Sequence, residues 1–267
     1  MKTKPYLNIC NGSEFDSIAA RSAMLGYLDS LATIEDDRLQ KRLLKELIHS
    51  YVMLEKRVDS LLKNTLPESV AEEIKYENRF SPRVYECTIL FSDFVGFTRL
   101  AEKISGERLI NTLHRLFTGF DQIVDEHGGT KIKTIGDAYM AVFGAPIQIS
   151  DHALCALRSA MELFRYLNDF NGENDPPFDM RVGIHTGRVM AGVVGRDRMQ
   201  FDVFGDDVNI ASRFESSGEP GRINVSETTY LQTRGHMEFE ERGLVALKNK
   251  PSMKAYFVKR EKDKANP

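Results

Sequence analysis

Lys131-Ile132-Lys133-Thr134-Ile135-Gly136-Asp137-Ala138-Tyr139-Met140-Ala141-Val142-Phe143 reads as two strands folded back on each other. Residues 131–135 and 138–143 are dominated by β-branched, aromatic and other apolar side chains, and the two residues between them, Gly136 and Asp137, are a short hairpin connection. Working outward, residues 105–127 show helical periodicity through Leu109, Leu113, Leu116, Phe117, Phe120 and Val124, and Gly128-Gly129 stops that helix. Before it, Cys87-Thr88-Ile89-Leu90-Phe91 is a short apolar run of the kind that forms a buried central strand. On the other side, a second helix covers roughly 151–170, and a strand runs from Met180 to His185. The resulting order, β-α-β-β-α-β, is the ferredoxin-like arrangement, so the fold class is α+β. Further strands are expected near 199–204, 222–225, 236–241 and 253–259, with a helix starting near Asp206.

The bulk composition narrows the function classes. With 42% apolar and 28% charged residues, the 267-residue chain is ordinary for a globular protein. A net charge of −3 gives no global field for a nucleic acid polymer or an anionic membrane, so an anionic substrate needs a local cluster of cations. Cys10, Cys87 and Cys155 are far apart and odd in number, which fits neither a disulfide framework nor a zinc site. No apolar run is long enough to span a bilayer and no signal-peptide pattern is present, so a reducing cytoplasm, or the cytoplasmic portion of a larger receptor, is the expected compartment.

The N-terminal quarter has a different texture. Ser13-Glu14-Phe15-Asp16 is placed to cap a helix through Ile18, Met24, Leu25 and Leu28. Leu44, Tyr51 and Val58 are spaced by seven, as are Leu47, Leu54 and Leu61, in the offset of an a/d heptad seam. Two readings stand: a parallel coiled coil, or one amphipathic helix packed on its own domain. Pro67 ends or kinks this helix. The chain thus divides into a segment 1–38, read as the remnant of a regulatory region; a helix or coiled-coil signal transducer, 39–66; a linker, 67–83; a catalytic domain, 84–260; and a tail, 261–267.

Three stretches carry chemistry. In Phe91-Ser92-Asp93-Phe94-Val95-Gly96-Phe97-Thr98 a carboxylate stands at the end of a buried strand, before a glycine turn whose backbone N–H groups suit phosphate oxygens. Asp137, at the hairpin tip of the same sheet, is in position to approach Asp93, and two neighbouring carboxylates favour a cation between them. In residues 200–213, Asp202 lies in an otherwise apolar strand, while Asn209 and Arg213, four apart, share one helix face and suit a ribose and a phosphoryl oxygen. Each stretch alone also reads as ordinary turn chemistry or an exposed helix face.

Taken in order, FSDFVGFT, KIKTIGDAYMAVFG, MRVGIHTGRVMAGVVG, FDVFGDDVNIASR and LKNKPSMKAYFV resemble the class III nucleotidyl cyclases, over about residues 84–258. The resemblance implies a homodimeric adenylate cyclase whose active sites lie between two domains. By that resemblance two divalent ions, Mg²⁺ or Mn²⁺, are held by Asp93 and Asp137 with the backbone carbonyl of Phe94. Lys133 and Asp202 select adenine, Asn209 and Arg213 stabilise the transition state, and Gly96, Phe97, Thr98, Arg188 and Lys248 bind phosphate. Lys250 competes with Lys248 for its role, because Asn249 and Pro251 replace the glycines usual there. The implied substrate is ATP, since Asp202 accepts from the 6-amine and Lys133 donates to N1, whereas guanine presents the reverse pattern. An upstream sensory domain or regulator is a further implied partner. The alternatives are a guanylate cyclase, a diguanylate cyclase (which calls for a GGDEF-type hairpin that Gly136-Asp137-Ala138 does not supply), a catalytically dead nucleotide-binding or dimerisation module, and an unrelated metal-binding protein.

Overall fold

The computed structural model describes residues 26, 29, 32–97, 101–102, 104–173, 177–196, 198–246 and 250–263. Ser13–Asp16, expected to cap a helix, with Ile18, Met24, Leu25 and Leu28 of that helix, and Thr98 and Lys248, lie outside the described residues. The chain forms two compact units, Met1–Ser81 with Val193–Gln200, and Pro82–Gly192 with Phe201–Pro267.

In the first unit, helix α1, Asp37–Lys63, starts at Asp36, whose carboxylate accepts from the N–H groups of Arg38 and Leu39. None of its residues is buried. It ends at Asn64, three residues before Pro67. Residues 67–83, read as a linker, contain a second helix, α2, Glu68–Glu77, which Asn78 closes in the left-handed conformation at φ 59°. Lys75 donates to Asp59 at 2.7 Å and ties the two helices together.

The second unit has the expected core order. Strand β1 spans Arg83–Val95, helix α3 Gly106–Glu126, β2 Gly129–Ile135, β3 Ala138–Phe143, helix α4 His152–Glu173 and β4 Asp179–Val194. These strands lie side by side as β2-β3-β1-β4, all antiparallel. The strands and helices that follow are β5 Gln200–Phe204, α5 Asp206–Ser216, β6 Ile223–Ser226, α6 Glu227–Thr233, β7 Met237–Val245 and β8 Met253–Glu261. The sheet continues from β4 through β6, β8 and β7, with β6 parallel to β4 and β5 pairing with β4 off this path. Strand β4 is much longer than the segment from Met180 to His185, because pairing with β1 carries through Gly187 to Ala191.

The period of two along β1 and β4 divides the sheet into two faces. Leu90 and Phe94 of β1, with Met180, Val182 and Ile184 of β4, join the core under α3 and α4. Residues of the other parity, including Asp93, Arg181, Gly183 and His185, face α5. There the backbone of the helix lies directly on the strand: a Cβ at Gly183 would fall 1.9 Å from the backbone N of Glu215. Among the described residues no helix is long and apolar enough to cross a membrane.

Candidate active site

The hairpin forms as its sequence dictates. Ile135 pairs with Ala138, leaving Gly136 and Asp137 as the connection, and Gly136 takes φ 64°. Phe94 pins the neighbouring end of β1 by packing against Phe178 at 5.4 Å, Phe120 at 6.2 Å and Phe117 at 6.3 Å. Two positions on, Gly96 turns the chain at φ 70°, and Phe97 packs against the core.

The two aspartates come together here. The Asp137 carboxyl is held above the ordinary carboxylate range, first by burial and then by the charge and hydrogen bonding of Asp93; Arg181 opposes the shift. This is the electrostatic condition in which a divalent cation stabilises both ionised groups. Among the described residues no cluster of three or more His, Cys, Asp or Glu side chains is arranged to hold a metal.

Arg181 is part of the same cluster and was not anticipated from the sequence. It is the in-register partner of Asp93 across β1 and β4, and its Nη2 donates to Asp93 Oδ2 at 2.9 Å. Its Nε stands 3.1 Å from Oε1 of Glu215, a buried residue of α5. Burial pushes the Glu215 carboxyl up to about 7; Arg181 pulls it down, and Asp93 and Asp137 push it further up.

Lys133 and Asp202 form an ion pair, with Nζ donating to Oδ2 at 2.5 Å. Asp202 is buried, and its other oxygen accepts from the N–H of Val203 at 2.8 Å, which fixes the carboxylate plane. Strict alternation would put Lys131 and Lys133 on one face of β2. A β-bulge between them breaks the alternation: Lys131 pairs with Asp121 of α3 at 2.7 Å, and Lys133 goes to Asp202 on β5.

Asn209 and Arg213 sit one turn apart on α5. Asn209 is exposed, and its Nδ2 is 3.4 Å from the carbonyl of Gly205. Nη1 of Arg213 is buried with no hydrogen-bond partner among the described residues, a donor suited to an anionic oxygen. Arg188 is exposed, its backbone N–H held by Asp207 at 2.8 Å. Lys250 is engaged with both carboxylate oxygens of Asp206, at 2.5 and 2.6 Å. Among the described residues, no hydrogen bond or ion pair joins Asp93 or Asp137 to Lys133, Asp202, Asn209 or Arg213 within one chain.

Comparison with known proteins places this geometry. Residues 80–260 match the adenylate and guanylate cyclase catalytic domain. The chain is 38% identical over 213 residues to an adenylate cyclase of Mycobacterium tuberculosis, covering 79% of this chain and 48% of that protein. It is 37% identical over 226 residues to the rat guanylate cyclase soluble subunit beta-2, covering 82% of this chain and 33% of that one. Among solved structures, the adenylyl cyclase CyaB from P. aeruginosa superposes with a TM-score of 0.66 at 28% identity, over 70% of this chain and all of that one. The chain thus spans about half or less of the length of these curated relatives. With a βαββαβ core and a family match over residues 80–260, the chain belongs to the adenylate and guanylate cyclase catalytic domain family.

Proposed function

We propose that this nucleotide cyclase is an adenylate cyclase, converting ATP to 3′,5′-cyclic AMP and pyrophosphate at sites shared across a homodimer. The observation that carries the reading is the Lys133–Asp202 pair. Overall identity does not decide between ATP and GTP, since adenylate and guanylate cyclases match at 38% and 37%. The polarity of the base pocket supports ATP: a buried Asp202 would accept from the adenine 6-amine and Lys133 would donate to N1, while guanine would set its 6-carbonyl against a carboxylate.

The reaction joins the ribose 3′-oxygen to the α-phosphorus and breaks the bond to the β-phosphate bridging oxygen, releasing pyrophosphate and the hydroxyl proton. Asp93 and Asp137, with the Phe94 carbonyl, would hold two divalent ions, Mg²⁺ or Mn²⁺. Such ions supply a lowered pKa at the 3′-hydroxyl and charge neutralisation on the triphosphate. The unpartnered guanidinium nitrogen of Arg213 is suited to charge growing on the α-phosphoryl oxygens. Asn209 orients the ribose for in-line attack. Arg188, Lys248 and the turn at Gly96, Phe97 and Thr98 bind the phosphates.

The homodimer is supported by two features. Among the described residues no hydrogen bond or ion pair joins the aspartates to the Arg213 set, which fits sites completed by a second chain, two in a symmetric pair. On α1 the seam residues Leu44, Tyr51, Leu54, Val58 and Leu61 are 40–60% exposed, an apolar stripe suited to a parallel coiled coil. A twist carried by that coil from a cytoplasmic regulatory segment would change how the two half-sites meet.

Purified protein incubated with ATP or GTP plus Mn²⁺, with products identified by mass, tests the reading. Cyclic AMP in excess is the expected result. Cyclic GMP without cyclic AMP overturns the base assignment, and no product with either nucleotide makes the chain a binding or dimerisation module.

A further inference from the structure

Helix α5 begins after Gly205, which has no side chain to hold the helix start. We infer that Asp207 is a positioning residue that clamps the first turn of α5 onto strand β4, setting Asn209 and Arg188 for the reaction, with His185 and Ser226 fixing its carboxylate. This rests on Asn209 and Arg188 acting on the nucleotide, as proposed above.

Strand β4 has a need of its own at this point. Among the described residues, β6 pairs with it over Val182–Ile184 and goes no further. The N–H of Arg188 lies beyond that edge and donates instead to Oδ2 of Asp207 at 2.8 Å. The other oxygen, Oδ1, stands 3.0 Å from Nε2 of His185. One side chain of α5 thus spans two residues of β4 that are three apart. Gly187, between them, makes the room: a Cβ there would lie 2.3 Å from Cγ of Asp207. His185 cannot swing away, because its ring is buried, stacks on Phe214 of α5 at 6.2 Å and meets the Ser226 hydroxyl at Nδ1, 2.8 Å away. An ionised carboxylate only accepts, so the ring carries its proton on Nε2 and Nδ1 accepts from Ser226. Burial favours this neutral ring over the charged one, against the pull of Asp207 and Asp206. Aspartate, histidine and serine in a hydrogen-bonded line are also the parts of a nucleophilic catalyst. Here Ser226 is fully buried and caps α6 by accepting from the N–H of Thr229, so no substrate reaches it. The line holds geometry: Asn209 lies two residues beyond Asp207 in the same turn of helix.

The test compares wild type, Asp207→Ala and Asp207→Asn in steady-state cyclisation of ATP and GTP with Mn²⁺, with thermal unfolding to establish folding. A misplacement of about 1 Å in a group that orients a substrate costs up to about 100-fold in rate. Asp207→Ala is expected to lower kcat about 10- to 100-fold with KM within about threefold. Asp207→Asn keeps both contacts if the ring proton moves: its carbonyl accepts from Arg188 N–H, and its amide donates to Nε2 of His185, whose Nδ1–H then donates to Ser226. That variant is therefore expected to retain kcat within about threefold. Nuclear magnetic resonance of ¹⁵N-histidine-labelled protein reads the proton directly, with the His185 signal assigned by its loss in His185→Gln. The proton is expected on Nε2 in wild type and on Nδ1 in Asp207→Asn. If Asp207→Ala does not fold, Asp207→Ser, which keeps a single small acceptor, takes its place. A folded Asp207→Ala or Asp207→Ser chain with wild-type kcat overturns the inference. So does an Asp207→Asn chain that loses as much kcat as Asp207→Ala although its ring proton has moved. Wild type that forms no cyclic nucleotide overturns the reading beneath it instead.

Discussion

Lys133 and Asp202 lie 69 residues apart in the chain and meet at 2.5 Å, brought together by a β-bulge in β2 and by the pairing of β5 with β4. Their polarity is the basis for preferring adenine. Reversing it is the sharpest change available to base choice. Lys133→Glu with Asp202→Ser places an acceptor for the guanine N1–H and a donor for its 6-carbonyl. The double variant is expected to lower kcat/KM for ATP by about 100-fold or more and to raise the cyclic GMP to cyclic AMP ratio correspondingly. The readout is product mass from an equimolar ATP and GTP mixture. An unchanged ratio would remove this pair from base selection.

Arg213 offers a buried guanidinium nitrogen with no partner among the described residues. An interaction made chiefly with the transition state lowers kcat and leaves KM nearly alone. Arg213→Ala is expected to lose about 10²- to 10³-fold in kcat with KM within a few-fold. Steady-state kinetics with ATP separate the two; a loss confined to KM would make Arg213 a ground-state binding residue.

Gly183 is a packing requirement. A Cβ there would meet the backbone of Glu215 at 1.9 Å from N and 2.4 Å from Cα, atoms that cannot rotate away. Gly183→Ala is expected to destabilise the domain by about 1–3 kcal/mol or more, and Tm falls by about 2–4 °C for each kcal/mol. Differential scanning calorimetry measures it. Wild-type Tm would show that α5 lifts off the strand freely.

Acid sensitivity follows from two buried imidazoles. His152 hydrogen-bonds Thr88 at 2.8 Å, and His185 lies between Ser226 at 2.8 Å and Asp207 at 3.0 Å. Burial lowers both rings below the ordinary 6.5, against the opposing pull of Glu86 and Asp151 on His152 and of Asp207 and Asp206 on His185. A base with a lowered folded-state pKa binds protons in the unfolded chain first, so stability is full above about pH 7 and falls as pH drops through about 6.5. His152→Gln and His185→Gln are each expected to shrink the loss of Tm between about pH 7.5 and about pH 5.5. An undiminished loss in both variants would place the acid sensitivity elsewhere.

Local signals carried most of the core. The Gly136-Asp137 connection, the helix over 106–126 and the strand after it each follow from periodicity and turn chemistry within a short window. Strand β4 runs past His185 because its pairing with β1 continues to Ala191, and Gly187 within it sits where a Cβ would meet Asp207 at 2.3 Å. Helix α2 was hidden because Pro67 and the charged run after it look like linker, whereas Val70, Ala71 and Ile74 bury one face. Arg181 and Glu215 escaped notice for a different reason. A lone arginine in a strand and a glutamate near a helix end are ordinary surface residues until strand register and the approach at Gly183 bring them beside Asp93. One signal was available: Glu215 follows Ile210, Ala211 and Phe214 on the apolar face of α5.

In the proposed homodimer one chain serves two different sites, its aspartates in one and its Arg213 set in the other. Mixing inactive Asp93→Ala chains with inactive Arg213→Ala chains tests this directly. Random re-pairing makes half of the dimers mixed, each with one intact site, so activity should return to about a quarter of wild type. Mixed dimers that form, shown by differently tagged chains, and yet stay inactive would contradict the shared-site account.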